Sequence, residues 1–457
     1  MRKYYQAALA VIAVISLISL LIYRHEYNKL RYVLEVFNYF GKPGPRIADA
    51  NCTNISAVFT TFNAKFDEPI PSWQRLEDDL YIYSAYSIND KEIRAIGLGT
   101  INGVSNMQCL VFFESENKPI LGSFGFIPIG NAVASSLGEN SRYGGYHFVC
   151  TYTSDEMPTG ITFVTRSNKY LNYAPIFPIK IQRQGGSSSR IGVCVTQSSM
   201  KPAKSIDMIG FISFHALIGM DNFIIYDSGI SNEFNSRLKE MASDPTSFWK
   251  FTYTVVPWNF PFTEIDQNVI KEIIEMDCLY RTYNSVAYAI ALSWNEYINL
   301  KYHHAMIDLL ADFKQFKLTA DRYELKIMTF CTQQTDNKQY ANSTLMILKK
   351  TKTDVNSPED RVIYIHEPQV TLQNSHLSVK EVGKDLIAVN QHKYFHSYVK
   401  EVGKHLIAVN QYKYCDNYRE SREVEDLTIL RFVQDIQNSS ILKKYLGSYN
   451  VLDIDIK

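Results

Sequence analysis

Between residues 51 and 184 apolar and polar positions alternate in short runs. Leu80 to Ile88 reads LYIYSAYSI, Gln108 to Phe113 reads QCLVFF and Tyr146 to Tyr152 reads YHFVCTY. Such runs, aromatic and bounded by Gly, Asn and Ser, predict a small antiparallel β-rich domain. The stretch Gln184-Gly185-Gly186-Ser187-Ser188-Ser189 is the clearest linker, so a boundary is expected across residues 185–190. After it the period changes. Ile191 to Gln197, Asn222 to Asp227, Phe251 to Trp258 and Val286 to Trp294 read as buried strands. Helical patterns lie between them at Ala203 to Gly219, Ser236 to Ala242 and Glu264 to Tyr283. Strands alternating with helices at this spacing predict an α/β domain, over residues 191–440, with a Rossmann-type, mainly parallel sheet. A tail of residues 441–457 follows.

The amino terminus has a third pattern. Ala7 to Tyr23 carries no charge and is flanked by Arg2 and Lys3 on one side and Arg24 on the other. At 1.5 Å per residue it spans roughly 26 Å as a helix, enough for a thin bilayer. Bulky Leu20, Leu21, Ile22 and Tyr23 offer no signal-peptidase site, so a retained transmembrane signal anchor is expected. That reading gives a tail at residues 1–6, a span at 7–23 and a stem at 24–50. Sequons at Asn51, Asn54, Asn342 and Asn438 suit a lumenal glycoprotein. The seven cysteines are scattered without zinc spacing; they suit either up to three disulfides with one free thiol or buried thiols. Lys plus Arg equals Asp plus Glu at 47 each, which leaves no net positive field for nucleic acid.

A repeat of period twenty lies within 379–414. Val379 to Tyr394 and Val399 to Tyr414 differ only at Asp385/His405 and His392/Tyr412. Two copies are too few for a solenoid, and an inserted extra copy at the surface is expected.

Ligands of parallel sheets lie beyond the carboxyl ends of strands, which selects Asp227, Trp258 and the residues after Leu292. Here the chain resembles glycosyltransferase family 92, on Ile212, His215, Gly219, Tyr226, Asp227, Ser231, Trp258 and Asp277-Cys278-Leu279-Tyr280-Arg281. The resemblance runs from about Arg190 to Tyr418. It implies a single-pass type II Golgi membrane protein with a lumenal GT-A-type domain. Such a protein transfers a hexose, galactose-like, from a UDP-sugar to a glycan acceptor. It also implies Mn²⁺, held by an Asp-x-Asp-Glu motif, to offset the charge of the leaving diphosphate. This chain has Ser293-Trp294-Asn295-Glu296 at that place, and Gln411-Tyr412-Lys413 or Gln391-His392-Lys393 where the family has His-Tyr-Arg.

Three readings follow: a catalytically inactive pseudo-glycosyltransferase that binds a glycan or partner, a metal-independent transferase using residues such as Arg281 on phosphate, and a metal site on Asn295 and Glu296. Glu296 is the catalytic candidate, and Asp227, Asp277, Arg281 and Trp294 are candidate nucleotide-sugar contacts. For Asp277 and Arg281 the plainer alternative is an ion pair at i,i+4. His215 is expected as a core histidine, and His303, His304 and His366 as surface or turn residues.

Overall fold

The computed structural model describes residues 73–77, 80–89, 91–115, 118–129, 143–165, 175–181, 189–196, 204–227, 229–243, 250–261, 267–318, 320–354, 362–373, 399–403, 406–415 and 423–438. The expected span, the stem, Asn51, Asn54, most of the linker and the first repeat copy lie outside them. None of the described helices is long and apolar enough to cross a membrane.

The alternating amino-terminal segments form β1 (Gln74–Glu77), β2 (Leu80–Asn89), β3 (Glu92–Gly99), β4 (Met107–Phe113), β5 (Ile120–Pro128), β6 (Gly144–Thr151), β7 (Pro158–Thr165) and β8 (Phe177–Ile181). A short helix, α1 (Ile101–Ser105), follows β3. The strand order is β1-β2-β3-β6-β5-β4-β7-β8, and β8 also pairs with β2. The sheet therefore closes into a barrel, a closure that the small antiparallel β-rich domain read from the sequence did not specify. Closure occurs because the long strand β2 shares one edge between two partners, β1 along Leu80 to Ile82 and β8 along Ala85 to Ser87. Closing the sheet removes unpaired edges. A disulfide, Cys109–Cys150, lies within this barrel.

The second half is a mixed α/β unit. It runs β9 (Ile191–Thr196), α2 (Ser205–Leu217), β10 (Asn222–Asp227), α3 (Asn232–Ser243), β11 (Thr252–Pro257), α4 (Gln267–Thr282), β12 (Tyr288–Ser293) and β13 (Glu296–Leu300). Then come α5 (Met306–Gln315), β14 (Arg322–Leu325), β15 (Ile327–Cys331), α6 (Met346–Lys349), β16 (Lys352–Asp354), β17 (Ile363–His366) and α7 (Pro368–Gln373). It finishes with β18 (Val399–Val402), β19 (Ile407–Lys413), β20 (Glu423–Glu425) and α8 (Val433–Asn438). The main sheet has the order β11-β10-β9-β12-β17-β14-β18. Neighbours from β11 to β12 are parallel, and β17 runs against both its neighbours.

Side-chain alternation explains the uninterrupted apolar runs in these strands, which are buried on both faces. Val193, Val195, Phe223, Ile225, Ile290 and Leu292 join one core with α2 and α3. Cys194, Ile224, Tyr226, Ala289 and Ala291 join the other, with α4 and with Tyr83, Tyr86, Ile96 and Leu98 of the barrel. The barrel thus shares a core with the face of the sheet that α4 covers. Gly145 permits that approach, since a Cβ there would lie 2.7 Å from Cγ1 of Ile273 on α4.

The second repeat copy is part of this framework. It supplies β18 at the edge of the main sheet and β19 between β13 and β15 in a smaller one. The Cys331–Cys415 disulfide fixes the chain just beyond β19. Val409 is fully buried and its N–H donates to the Lys326 carbonyl. Proline removes that donor and clashes in a central strand. Val409→Pro is expected to lower stability by about 3 kcal/mol or more. Differential scanning fluorimetry of the variant against the wild type checks this.

Two histidines make stability depend on pH. His215 and His147 are buried, and burial lowers both pKa values from 6.5 to about 3. The unfolded chain therefore takes up protons below about pH 6.5 that the folded chain refuses. Stability is complete above that pH and falls toward pH 3, by about 1.4 kcal/mol per pH unit for each histidine. Urea unfolding at pH 7.5 and pH 5 is expected to show that loss.

Candidate functional site

In chain order β9, β10 and β11 step to one side, and β12 then returns to pair with β9 on the other. The order of the sheet reverses between β9 and β12, and that is where an open parallel sheet leaves a crevice at its carboxyl edge. Thr196 and Ser293 end these two strands in register, with their hydroxyl oxygens 2.8 Å apart. The turn Trp294-Asn295 then leads into β13, which starts at Glu296.

Glu296 is fully buried, and both of its carboxylate oxygens are engaged. Oε2 accepts from the Ser293 backbone N–H at 2.8 Å, closing the turn. Oε1 accepts from Nε2 of Gln411 at 3.0 Å, its register partner on β19. Nζ of Lys271, from the first half of α4, lies 3.8 Å from the same oxygen. At an effective dielectric near 20 that approach is worth about 4 kcal/mol of attraction before desolvation. Asn295 donates its Nδ2 to the Tyr412 carbonyl at 3.0 Å, and its own carbonyl accepts from the Tyr412 N–H.

These residues do not fit the expected Mn²⁺. A hard divalent ion takes about six oxygen ligands and favours carboxylates. Here a single carboxylate is present, its oxygens point at donors, and Gln411 offers Glu296 an N–H where a ligand would offer a lone pair. An ion on Oε1 would also meet the Lys271 ammonium at about 4 Å, a repulsion on the order of 8 kcal/mol at the same dielectric. Among the described residues no group of three or more His, Cys, Asp and Glu side chains is arranged for a metal. Glu296 is likewise badly placed as a catalytic base, because it is enclosed and holds donors.

The other candidates lie in three different places. Asp227 ends β10, half-buried, and its Oδ1 accepts from the N–H groups of Gly229 and Ile230 at 2.7 and 2.6 Å. The Asp227 carboxylate therefore builds the turn that leads to Ser231, whose hydroxyl accepts from the Phe234 N–H in the first turn of α3. Trp294 is buried in the core against the edges of Phe211 and Phe234, at 5.2 and 5.9 Å between ring centroids. Its ring faces inward and offers no stacking surface to a nucleotide.

Asp277 is fully buried and receives four donors. Oδ1 takes Ser84 Oγ at 2.5 Å and the Tyr86 hydroxyl at 2.7 Å, both from the barrel. Oδ2 takes the Tyr226 hydroxyl at 2.7 Å and Nε of Arg281 at 2.5 Å. Burial works against the Arg281 charge, but Asp277 and the tyrosines raise its pKa well above the usual guanidinium value. Burial, with the Asp277 charge, drives the Tyr83 and Tyr226 pKa values well above 10. Arg281 is thus enclosed, and the expectation that it reaches a phosphate is replaced by the i,i+4 ion pair.

The family-like landmarks are largely framework. His215 lies in the core, with Nδ1 against the Phe211 carbonyl at 2.9 Å and Nε2 accepting from the Ile298 N–H at 3.3 Å. Gly219, at φ +86°, ends α2 in the left-handed region. Trp258 packs on Tyr83, Trp73, Tyr226 and Phe260 at the barrel. His366 is no surface residue: it is fully buried on β17 and bonded to Glu275 of α4 at 2.5 Å. His303 bonds Asp312 at 2.8 Å. Asn342 is exposed in a turn, and Asn438 is the last residue of α8. Sequence reasoning passed over Thr196, which the strand-end rule could have found, and Lys271, for which no local signal exists.

Comparisons with known proteins add little to this geometry. No family model and no curated protein matches the chain. Among solved structures, the galactosyltransferase LgtC in complex with donor and acceptor sugar analogs is 8% identical, with TM-score 0.20, over 40% of this chain and 59% of that one. A UDP-glucose pyrophosphorylase complexed with UDP-glucose is 9% identical, with TM-score 0.20, over 41% and 80%. A cyclomaltodextrinase is 6% identical, with TM-score 0.16, over 33% of each chain. This chain therefore spans less than two thirds of the galactosyltransferase.

Asp277→Asn is expected to destabilise the protein by about 3–5 kcal/mol, because it strips the counter-charge from a buried arginine. Replacing both members, as Asp277→Leu with Arg281→Met, removes the uncompensated charge but restores only part of that stability, because the Ser84, Tyr86 and Tyr226 hydroxyls lose their acceptor. Denaturant unfolding of the three proteins provides the check.

Proposed function

We propose that this chain is a glycosyltransferase-type protein, similar to family 92, that recognises a UDP-hexose and a glycan acceptor. In this reading it is a single-pass type II Golgi glycoprotein, with the barrel and the α/β unit in the lumen. The observation that carries the reading is the reversal of strand order at β9 and β12, where Thr196, Ser293 and Asn295 gather at the carboxyl edge and Asp227 ends the next strand. A GT-A-like, Rossmann-type sheet places a nucleotide at that edge. Three disulfides, Cys109–Cys150, Cys194–Cys278 and Cys331–Cys415, support an oxidising lumen. Transfer in this reading breaks the bond from the anomeric carbon to the diphosphate oxygen. The electron pair leaves with UDP, the acceptor hydroxyl oxygen bonds the anomeric carbon, and its proton passes to solvent.

A second reading is favoured by one observation, the enclosure of Glu296 by Ser293, Gln411 and Lys271. It makes the protein a catalytically silent member that binds nucleotide sugar or glycan without turnover. Two measurements on the full chain in detergent separate these readings. Calorimetric titration with UDP is expected to show binding for a transferase and for a silent member that keeps the nucleotide-sugar site. UDP release from UDP-galactose in the presence of mixed glycans is expected only for a transferase. Absence of UDP binding at millimolar concentration overturns the transferase reading and leaves a silent glycan-binding member standing.

A further inference from the structure

We infer that the two repeat copies are interchangeable: either can supply the strand pair β18 and β19, and the Cys331–Cys415 disulfide is what assigns the place to the second. Three observations carry this: the identity of the contacts, the reach of the chain and the position of the disulfide.

Val402, Ile407, Ala408 and Val409 are the buried apolar side chains of the pair, and Val382, Ile387, Ala388 and Val389 repeat them. Gln411 donates to Glu296 at 3.0 Å and Asn410 accepts from Asn299 at 3.4 Å, and Gln391 and Asn390 are the same residues twenty positions earlier. Tyr412 differs. Its ring packs on Phe330 and Tyr297, where the first copy would bring His392. An imidazole is smaller than a phenol, so it enters without overpacking and gives up only part of the ring contact. The other difference, Asp385 for His405, falls between the two strands in sequence.

The chain reaches the place from either copy. α7 ends at Gln373, and the Thr371 hydroxyl donates to the Asp321 carbonyl at 2.9 Å. The next residue, Arg322, has Val399 of β18 as its register partner, and paired strands lie only about 4.8 Å apart. The end of α7 is therefore beside the start of β18. Val399 arrives there through residues 374–398, and Val379 would arrive through residues 374–378, which span roughly 16 Å when extended. Beyond the pair, β20 begins at Glu423, so an exchange moves the longer connection from before the strands to after them.

Cys415 is the first residue past the repeat, and Phe395 holds the corresponding position after the first copy. The hydrogen bonds at this point go to main-chain atoms. The Lys413 carbonyl accepts from the Thr332 N–H, and the Gln333 side chain holds the N–H and C=O of Cys415. A phenylalanine offers the same main-chain groups and lacks the sulfur, so the bridge distinguishes two segments that the sheets themselves barely tell apart.

Phe395→Cys in the full chain, in detergent, offers Cys331 a second thiol to pair with. The protein is equilibrated in reduced and oxidised glutathione, which carries the electron pair of the exchange, then alkylated, digested and read by mass spectrometry. Two bridges are expected, from Cys331 to Cys415 and from Cys331 to position 395, with the native one in excess. Adding His392→Tyr is expected to raise the share of the second bridge at least about threefold, the worth of one aromatic contact. Hydrogen exchange on Phe395→Cys combined with Cys415→Ser is expected to show protected amides at 387–393 and lost protection at 407–413. A bridge from Cys331 to position 395 that stays undetected in both glutathione experiments overturns the inference, and those experiments keep Cys415 available to the native fold. Protection that remains at 407–413 in the Cys415→Ser protein overturns it as well, since position 395 would then be joined to Cys331 without any exchange of strands.

Discussion

One buried carboxylate joins the two halves of this protein. Asp277 takes two donors from the barrel strand β2 and two from the α/β unit, so both of its carboxylate oxygens are paired. Around it the barrel and α4 share a core in which Tyr86 stacks on Tyr280 at 4.8 Å and Trp258 meets Trp73 and Tyr83. A charge in such a place is tolerable only when fully paired. The Cys194–Cys278 disulfide ties the residue beside Asp277 to β9, holding the helix against the sheet.

That constraint changes the meaning of the sequence landmarks. Tyr226 and Trp258, near strand ends, and Asp277 and Arg281, one turn apart on α4, look like ligand contacts in one dimension, since they are polar or aromatic. In three dimensions they form the seam between barrel and sheet. Asp227, Ser231 and Gly219 shape turns, and His215 holds α2 to β13 through the Ile298 N–H. What remains for chemistry is the short edge from Thr196 to Glu296. Its character follows from Lys271 and Gln411, which come from elements far away in the chain.

The framework also explains how a near-duplicate segment is used. β19 is the central strand of its sheet and brings Gln411 opposite Glu296, so the second copy is both structural and adjacent to the site. Tyr412, where the first copy has His392, is buried against Phe330 and Tyr297 at 5.1 and 5.7 Å. A tyrosine there adds ring packing, and Val399 to Tyr414 supplies a strand to each of two sheets.

The strand and helix periods of the sequence alone determined much of the second half. The strands from β9 to β12, with the helices between them, follow from apolar runs with turn residues at their ends, because local periodicity dictates which face of an element is buried. Barrel closure, the pairing of six cysteines and the partners of Asp277 and Glu296 were decided only by tertiary structure. Each depends on residues far apart in the chain, as with Gln411 and Glu296 or Ser84 and Asp277, and no local pattern encodes such a meeting. The composition of the Ser293-Trp294-Asn295-Glu296 turn showed that carboxylates were few. Only the fold put a lysine beside the last of them.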